Sequence, residues 1–247
     1  MTSTSVPGPA RRRIFRDLLA GLLLAVAVAA ATWRLLRLPA TFMAEVSLVY
    51  AGLATVILFF LPSSLPGIGL GPANRITLAR AAMILPLAAL LLHPEALDVR
   101  GRWWVVVLGT TIMILDGFDG WMARRTGTDT LFGARFDMET DALLMLVLSA
   151  LVWVEDRAGA WVLLIGAMRY LFVGAGRLLP ALRAPLFPSR RRKVVCVVQG
   201  AGLLICLAPI VADRSAVTVA AVALVSLAWS FGVDTAWLLG HADRRPR

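Results

Sequence analysis

The stretch Asp116–Asp141, DGFDGWMARRTGTDTLFGARFDMETD, decides the reading of this chain. It carries four aspartates in two pairs: Asp116 with Asp119, and Asp137 with Asp141. Spacings of three and four residues place both members of a pair on one face of a helix. The apolar runs at about 103–118 and 139–154 predict two antiparallel helices joined by a short loop, with the pairs at their facing ends. An ionisable residue in a membrane segment is costly and by default marks a functional site. Four carboxylates meeting there would repel one another or take up protons. A hard divalent cation such as Mg2+, Mn2+ or Ca2+ relieves that repulsion and prefers oxygen ligands. Two metals bridged by a carboxylate suit phosphoryl chemistry better than one. Gly120 and Gly133 leave room for close approach, and Arg124 can grip a phosphate oxygen through two N–H groups.

Outward from this stretch the chain is strongly apolar. Of 247 residues, 59% are hydrophobic and 16% charged, and the mean hydropathy is +0.79. A soluble domain averages about 45–50% apolar and about 25% charged. One soluble core cannot bury so much apolar surface, which excludes a soluble globular enzyme, and the composition equally excludes a disordered chain. Eight apolar segments, about 17–33, 43–62, 76–93, 103–118, 139–154, 160–176, 194–212 and 215–240, each approach the length of a spanning helix. No strand alternation competes with them. The predicted class is therefore an all-α polytopic membrane protein.

Charge gives the orientation. With the N-terminus in the cytoplasm and the segments alternating, 18 of the 25 Lys and Arg residues fall inside, Arg80 among them, and 6 outside, Arg157 among them. Arg169 is the remaining one, within a segment. The net charge of +10 is read as loops facing anionic headgroups, with no nucleic-acid partner. The first segment follows Arg11, Arg12, Arg13 and Arg16 and ends in Ala29-Ala30-Ala31, which also resembles a signal peptide; its length favours a retained anchor. Cys196 and Cys206, about 15 Å apart along one helix, cannot pair with each other. His93 and His241 are not read as metal ligands.

Two connections stand out. Residues 63–75, PSSLPGIGLGPAN, predict an interfacial segment. Residues 177–193 carry six basic residues and end in SRRRK, read either as a positive-inside loop or as a phosphate-facing rim. Arg169 needs a cavity or a partner: an ion pair with Asp234, or a polar or anionic substrate.

The string Asp116-x2-Asp119-Gly120-x2-Ala123-Arg124-x8-Gly133-x3-Asp137-x3-Asp141 resembles the complete motif of the CDP-alcohol phosphotransferases (CDP-alcohol phosphatidyltransferases), with eight fixed positions over 26 residues. The resemblance implies a six-helix membrane core at 76–240. It would be preceded by a basic N-terminus with two additional transmembrane helices at 1–62 and the interfacial segment at 63–75, and followed by a basic cytoplasmic tail at 241–247. It further implies a homodimer in the bacterial inner (cell) membrane with a cytoplasm-facing site. The donor would be a CDP-alcohol, CDP-diacylglycerol above all. Its phosphatidyl group would pass to an acceptor alcohol with release of CMP, in phospholipid biosynthesis. By motif position, Asp116, Asp119, Asp137 and Asp141 would hold two divalent metal ions, Mg2+ or Mn2+, and Asp141 would deprotonate the acceptor. Gly120, Arg124 and Thr130 would contact the CDP-alcohol, as would Asn74 and Thr77 of the upstream Ala73-Asn74-Arg75-Ile76-Thr77, where the family's proline is displaced to Pro72. Arg169 and Lys193 are candidates for acceptor binding, and the acceptor itself is expected to carry a phosphate.

Rival classes predict other patterns. A membrane prenyltransferase also uses carboxylates and Mg2+ but has no need of Gly120, Ala123-Arg124 and Gly133. A transporter would spread its charges across the bilayer. A non-catalytic lipid-binding protein would be expected to lose a metal carboxylate, and all four are present.

Overall fold

The computed structural model describes residues 8–61, 69–126, 130–184 and 189–240; for 8–11, 119–126, 180 and 183 the description is of the backbone alone. The described residues form eight α-helices and no strand. They are α1 (Gly8–Leu36), α2 (Thr41–Phe60), α3 (Pro72–Ala89), α4 (Val99–Thr126), α5 (Leu131–Val154), α6 (Leu163–Leu178), α7 (Arg190–Leu207) and α8 (Asp213–Gly240). The protein is an all-helical polytopic membrane protein. Large apolar side chains on the outer faces, such as Phe59, Phe60, Val107 and Val225, are exposed, as a lipid solvent requires.

Among the described residues, five stretches are long and apolar enough to cross a membrane: Arg12–Leu36, Thr41–Phe60, Pro72–Leu92, Ala160–Leu178 and Asp213–Gly240. The sequence predicts eight. The difference lies in α4, α5 and α7, whose ends carry charge: Asp116 and Asp119 on α4, Asp137 and Asp141 on α5, and Arg190 to Lys193 on α7. Those charges shorten the uninterrupted apolar stretch of each helix.

The chain divides into two compact units, residues 1–143 and 144–247. In the first, α3 is central and packs against α4, α1 and α2. Of its most apolar stretch 67% is buried, against 22–28% for the other four spans, so α3 meets protein on most sides and the others meet lipid. Polar bonds tie this bundle where apolar contact with lipid offers no drive to associate. Tyr50 donates to the Leu18 carbonyl, with Gly21 leaving the space for its hydroxyl. Trp104 Nε1 donates to Thr32 Oγ1 at 2.9 Å, and His93 Nε2 lies 2.8 Å from Glu45. Proline at the first turn of α3 suits a position whose N–H has no helical partner. Pro86, inside the helix, removes a bond, and α3 gives way three residues later to a tighter turn at Leu90–Leu92.

In the second unit α7 packs on α8, with Gly202 against Ala223 and Gln199 Nε2 donating to the Ala223 carbonyl at 2.9 Å. Gly166 of α6 lies against the backbone at Leu146, where no Cβ would fit. Buried Arg157 donates Nε to the Cys206 carbonyl at 2.9 Å and also binds the Val211 carbonyl and the Asp213 carboxylate. It thereby fixes the turn between α7 and α8. Cys196 is exposed and Cys206 buried, and both are free thiols.

Candidate active site

Arg80, on α3, is the centre of the site. Its side chain is 1% exposed. Nη2 lies 2.8 Å from Asp116 Oδ1 and also binds Asp141 Oδ1, while Nη1 donates to Asp137 Oδ1 at 2.8 Å. One guanidinium thus gathers carboxylates from α4 and α5. One ligand oxygen from each of Asp116, Asp137 and Asp141 falls within 4.8 Å of the others. The three carboxylates remain 29–44% exposed, so the cation is sealed behind and the anions open forward. With all three ionised, negative charge exceeds positive by two.

The sequence reading placed Arg80 among inside charges and gave it no role. Its signal was available: an arginine within an apolar segment, three residues beyond Thr77 and six beyond Asn74, on one helical face. Which carboxylates it would meet depends on how α3 packs, and spacing carries no such information.

The start of α3 forms the neighbouring wall. Asn74 and Thr77 are buried, and each bonds backbone one turn back: Asn74 Nδ2 to the Leu70 carbonyl at 2.7 Å, Thr77 Oγ1 to the Ala73 carbonyl at 3.2 Å. Asn74 Oδ1 approaches Gly133 so closely that a Cβ there would lie 2.5 Å from it. Gly133 therefore admits the side chain of Asn74. Thr130 caps α5, its Oγ1 accepting from the Gly133 N–H at 2.9 Å. The structure thus brings Asn74, Thr130 and Gly133 together next to the turn of α5 that bears Asp137.

Asp119, Gly120 and Arg124 belong to the last turns of α4, and their side chains lie outside the described residues. Residues 63–68 of the predicted interfacial segment, and the tail from 241 to 247, also lie outside them; α3 itself begins at Pro72. In the second unit, Arg169 is half-buried on α6 and Lys193 is exposed on α7. Asp234, the carboxylate considered for Arg169, is bound by Arg191 and lies 3.7 Å from Arg192. Arg191 also donates to the Ser230 carbonyl at 2.6 Å and stacks over Trp229. Sequence reading had named Lys193 from this run, whereas Arg191 makes the inward contacts.

A family model, CDP-alcohol phosphatidyltransferase, matches residues 71–233, more than half of the chain. The chain belongs to that family. No curated protein and no solved structure matches it. The match begins at Gly71, one residue before α3, and takes in Arg80 and all four motif aspartates. Members are transferases of substituted phosphate groups, moving a phosphatidyl group from a CDP-alcohol in phospholipid synthesis, generally with divalent metals. The residues present fit such an ion. Three partly open carboxylates supply hard oxygen ligands close together, the donor set a divalent cation prefers.

Proposed function

We propose that this protein is a phosphatidyltransferase that takes CDP-diacylglycerol as donor, passes its phosphatidyl group to an acceptor alcohol and releases CMP. The observation that carries this reading is the trio Asp116, Asp137 and Asp141 gathered around the buried Arg80. Asp116, Asp119, Asp137 and Asp141 would hold two divalent ions, Mg2+ or Mn2+. Bound there, the ions would neutralise the donor's pyrophosphate as charge builds on the leaving CMP.

The chain's own groups supply the rest. An alcohol is a weak nucleophile at neutral pH and needs a positioned base, and the Asp141 carboxylate is that base. It takes the hydroxyl proton as the acceptor oxygen bonds to the β-phosphorus. The bond from that phosphorus to the bridging oxygen breaks, and CMP departs with the bridging oxygen and its electron pair. Asn74, Thr77, Gly120, Arg124 and Thr130 line the donor's place, and Arg124 grips a phosphate oxygen. The working form is a homodimer in the bacterial inner membrane, with the site toward the cytoplasm, where a water-soluble acceptor meets the donor's headgroup.

For the acceptor, a phosphorylated alcohol is favoured. Four cations open α7, the end of a helix where positive charge is disfavoured, and the buried Asp234 answers two of them. Arg169 and Lys193 are the residues assigned to the acceptor's phosphate. The test is CMP release by purified protein, screened against serine, inositol, glycerol 3-phosphate, inositol phosphate and choline. Turnover with a phosphorylated acceptor supports the reading, and no CMP with any acceptor overturns it. Arg169→Ala is expected to raise the acceptor KM about tenfold while leaving the donor KM near wild type, the pattern of a lost ground-state contact. Equal loss of all activities together with a lower Tm would assign Arg169 to structure.

A further inference from the structure

The first helix lies outside the family match, yet it reaches the turn on which the donor reading depends. Asp17 of α1 has a side chain only 10% exposed. Its Oδ2 accepts from the Leu70 N–H at 3.0 Å, and its Oδ1 lies 2.9 Å from Arg75 Nε. These two contacts straddle the start of α3. Leu70 stands between Gly69 and Gly71, both in the left-handed region at φ +77° and +85°. Two glycines so placed give the chain the sharp entry it needs, and they leave the turn costly to order unless something outside it holds it. Gly69 must be glycine for a second reason: a Cβ there would lie 2.6 Å from Asp17 Oδ2.

The hold continues inward. Leu70 is 3% exposed and packs with Ile14, Leu18, Ile57 and Leu78. Phe132 and Phe136, which flank Gly133 on α5, pack against the same cluster. The Leu70 carbonyl then receives Asn74 Nδ2, and Asn74 Oδ1 rests on Gly133. A continuous run of contacts therefore leads from Asp17 through Leu70 to Asn74 and the first turn of α5.

We infer that Asp17 is a positioning residue for the donor: by clamping the Leu70 N–H and Arg75, it holds Asn74 where the CDP-alcohol binds, so α1 contributes to the site from outside the family core. This rests on the reading of Asn74 as a donor contact. Asp17 touches neither substrate nor the reacting atoms. Its effect belongs in donor affinity, since a charge-assisted bond to a backbone N–H orders the turn before the ligand arrives.

The test is donor and acceptor kinetics of full-length Asp17→Ala and Asp17→Glu in detergent, with Tm measured alongside. Asp17→Ala is expected to raise the donor KM about tenfold, with kcat and the acceptor KM within about twofold of wild type. Asp17→Glu, which keeps the carboxylate, is expected to recover part of that loss. A purely structural brace would instead lower Tm and the amount of active enzyme with both KM values unchanged, and that result overturns the inference. Should Asp17→Ala fail to fold, Asp17→Asn carries the same test: it keeps the size of the side chain but withdraws the charge from both the Leu70 N–H and Arg75, and a smaller rise in donor KM is expected. Wild-type turnover separates the two claims. No CMP from wild type overturns the donor reading and this inference with it, whereas turnover with an unchanged donor KM in the variants overturns this inference alone.

Discussion

Two arginines among the described residues are buried, and they are balanced in opposite ways. Arg157, between α5 and α6, meets two backbone carbonyls and the single carboxylate of Asp213. Its charge is answered once and each of its three nitrogens has a partner. Arg80, on α3, meets three carboxylates. One cation cannot neutralise three anions, and those anions stay partly open. Both arginines incur desolvation. Of the two, only Arg80 meets more carboxylates than it can answer by itself, and partly open carboxylates are what a cation would use. Burial of a charge does not by itself mark a site; an unbalanced, accessible cluster does.

The sharpest way to break this comparison is at Asp141. Asp141→Asn keeps an oxygen for Arg80 but removes one of three like charges and the proposed base. Turnover is expected to fall by about 10²–10⁴-fold, the usual worth of a positioned base. Stability in detergent without metal is expected to stay level or rise, because the surplus shrinks. Chelation should abolish CMP release in wild type and lower its Tm, with Mg2+ or Mn2+ restoring both. Full activity in excess chelator would remove the metal from the account.

Arg157→Ala is expected to do the reverse. It strands the Cys206 and Val211 carbonyls, at about 1–3 kcal/mol for a buried group left unsatisfied, while the Asp213 carboxylate, 79% exposed, returns to water. Tm should drop steeply while the folded fraction keeps its donor and acceptor KM values. If Asp141→Asn proved as destabilising as Arg157→Ala, the two arginines would be structural in the same sense and the charge argument would fail.

Much of this was legible from the chain alone. Apolar runs marked the places of all eight helices, because the cost of moving a segment into lipid is a local property. The i,i+3 and i,i+4 spacings carried the meeting of Asp116, Asp137 and Asp141, since helical periodicity is local too. What escaped, beyond that one helical hairpin, was the choice of partner across helices. Arg80 counted as one more inside charge and Arg157 as one more outside charge. Asp234 was one of two partners weighed for Arg169, and Arg191 and Arg192 are the partners it shows. Pairing of that kind depends on which faces of distant helices meet. No window on the sequence records this. The role of α1 escaped for the same reason: Asp17 and Leu70 are 53 positions apart.

A smaller effect separates two glycines of the site region. Gly117, beside Asp116 on α4, has open space where a Cβ would go. Gly133 has Asn74 Oδ1 at 2.5 Å and Thr130 Oγ1 at 3.0 Å from that point. Gly117→Ala is therefore expected to be neutral or to stabilise α4 by about 0.5–1 kcal/mol, the helical advantage of alanine over glycine. Gly133→Ala must push Asn74 aside. Its amide is tied to the Leu70 carbonyl, so the shift strains or breaks that bond, at about 1–3 kcal/mol for overpacking a filled space. Because the displaced group is a proposed donor contact, the loss should appear as a higher donor KM, with kcat and the acceptor KM changing less. Pairing Gly133→Ala with Asn74→Ala tests the assignment: once the Asn74 amide is gone, the added methyl should cost little more in donor KM. Full additivity of the two substitutions would mean that Gly133 serves the site by some contact other than Asn74.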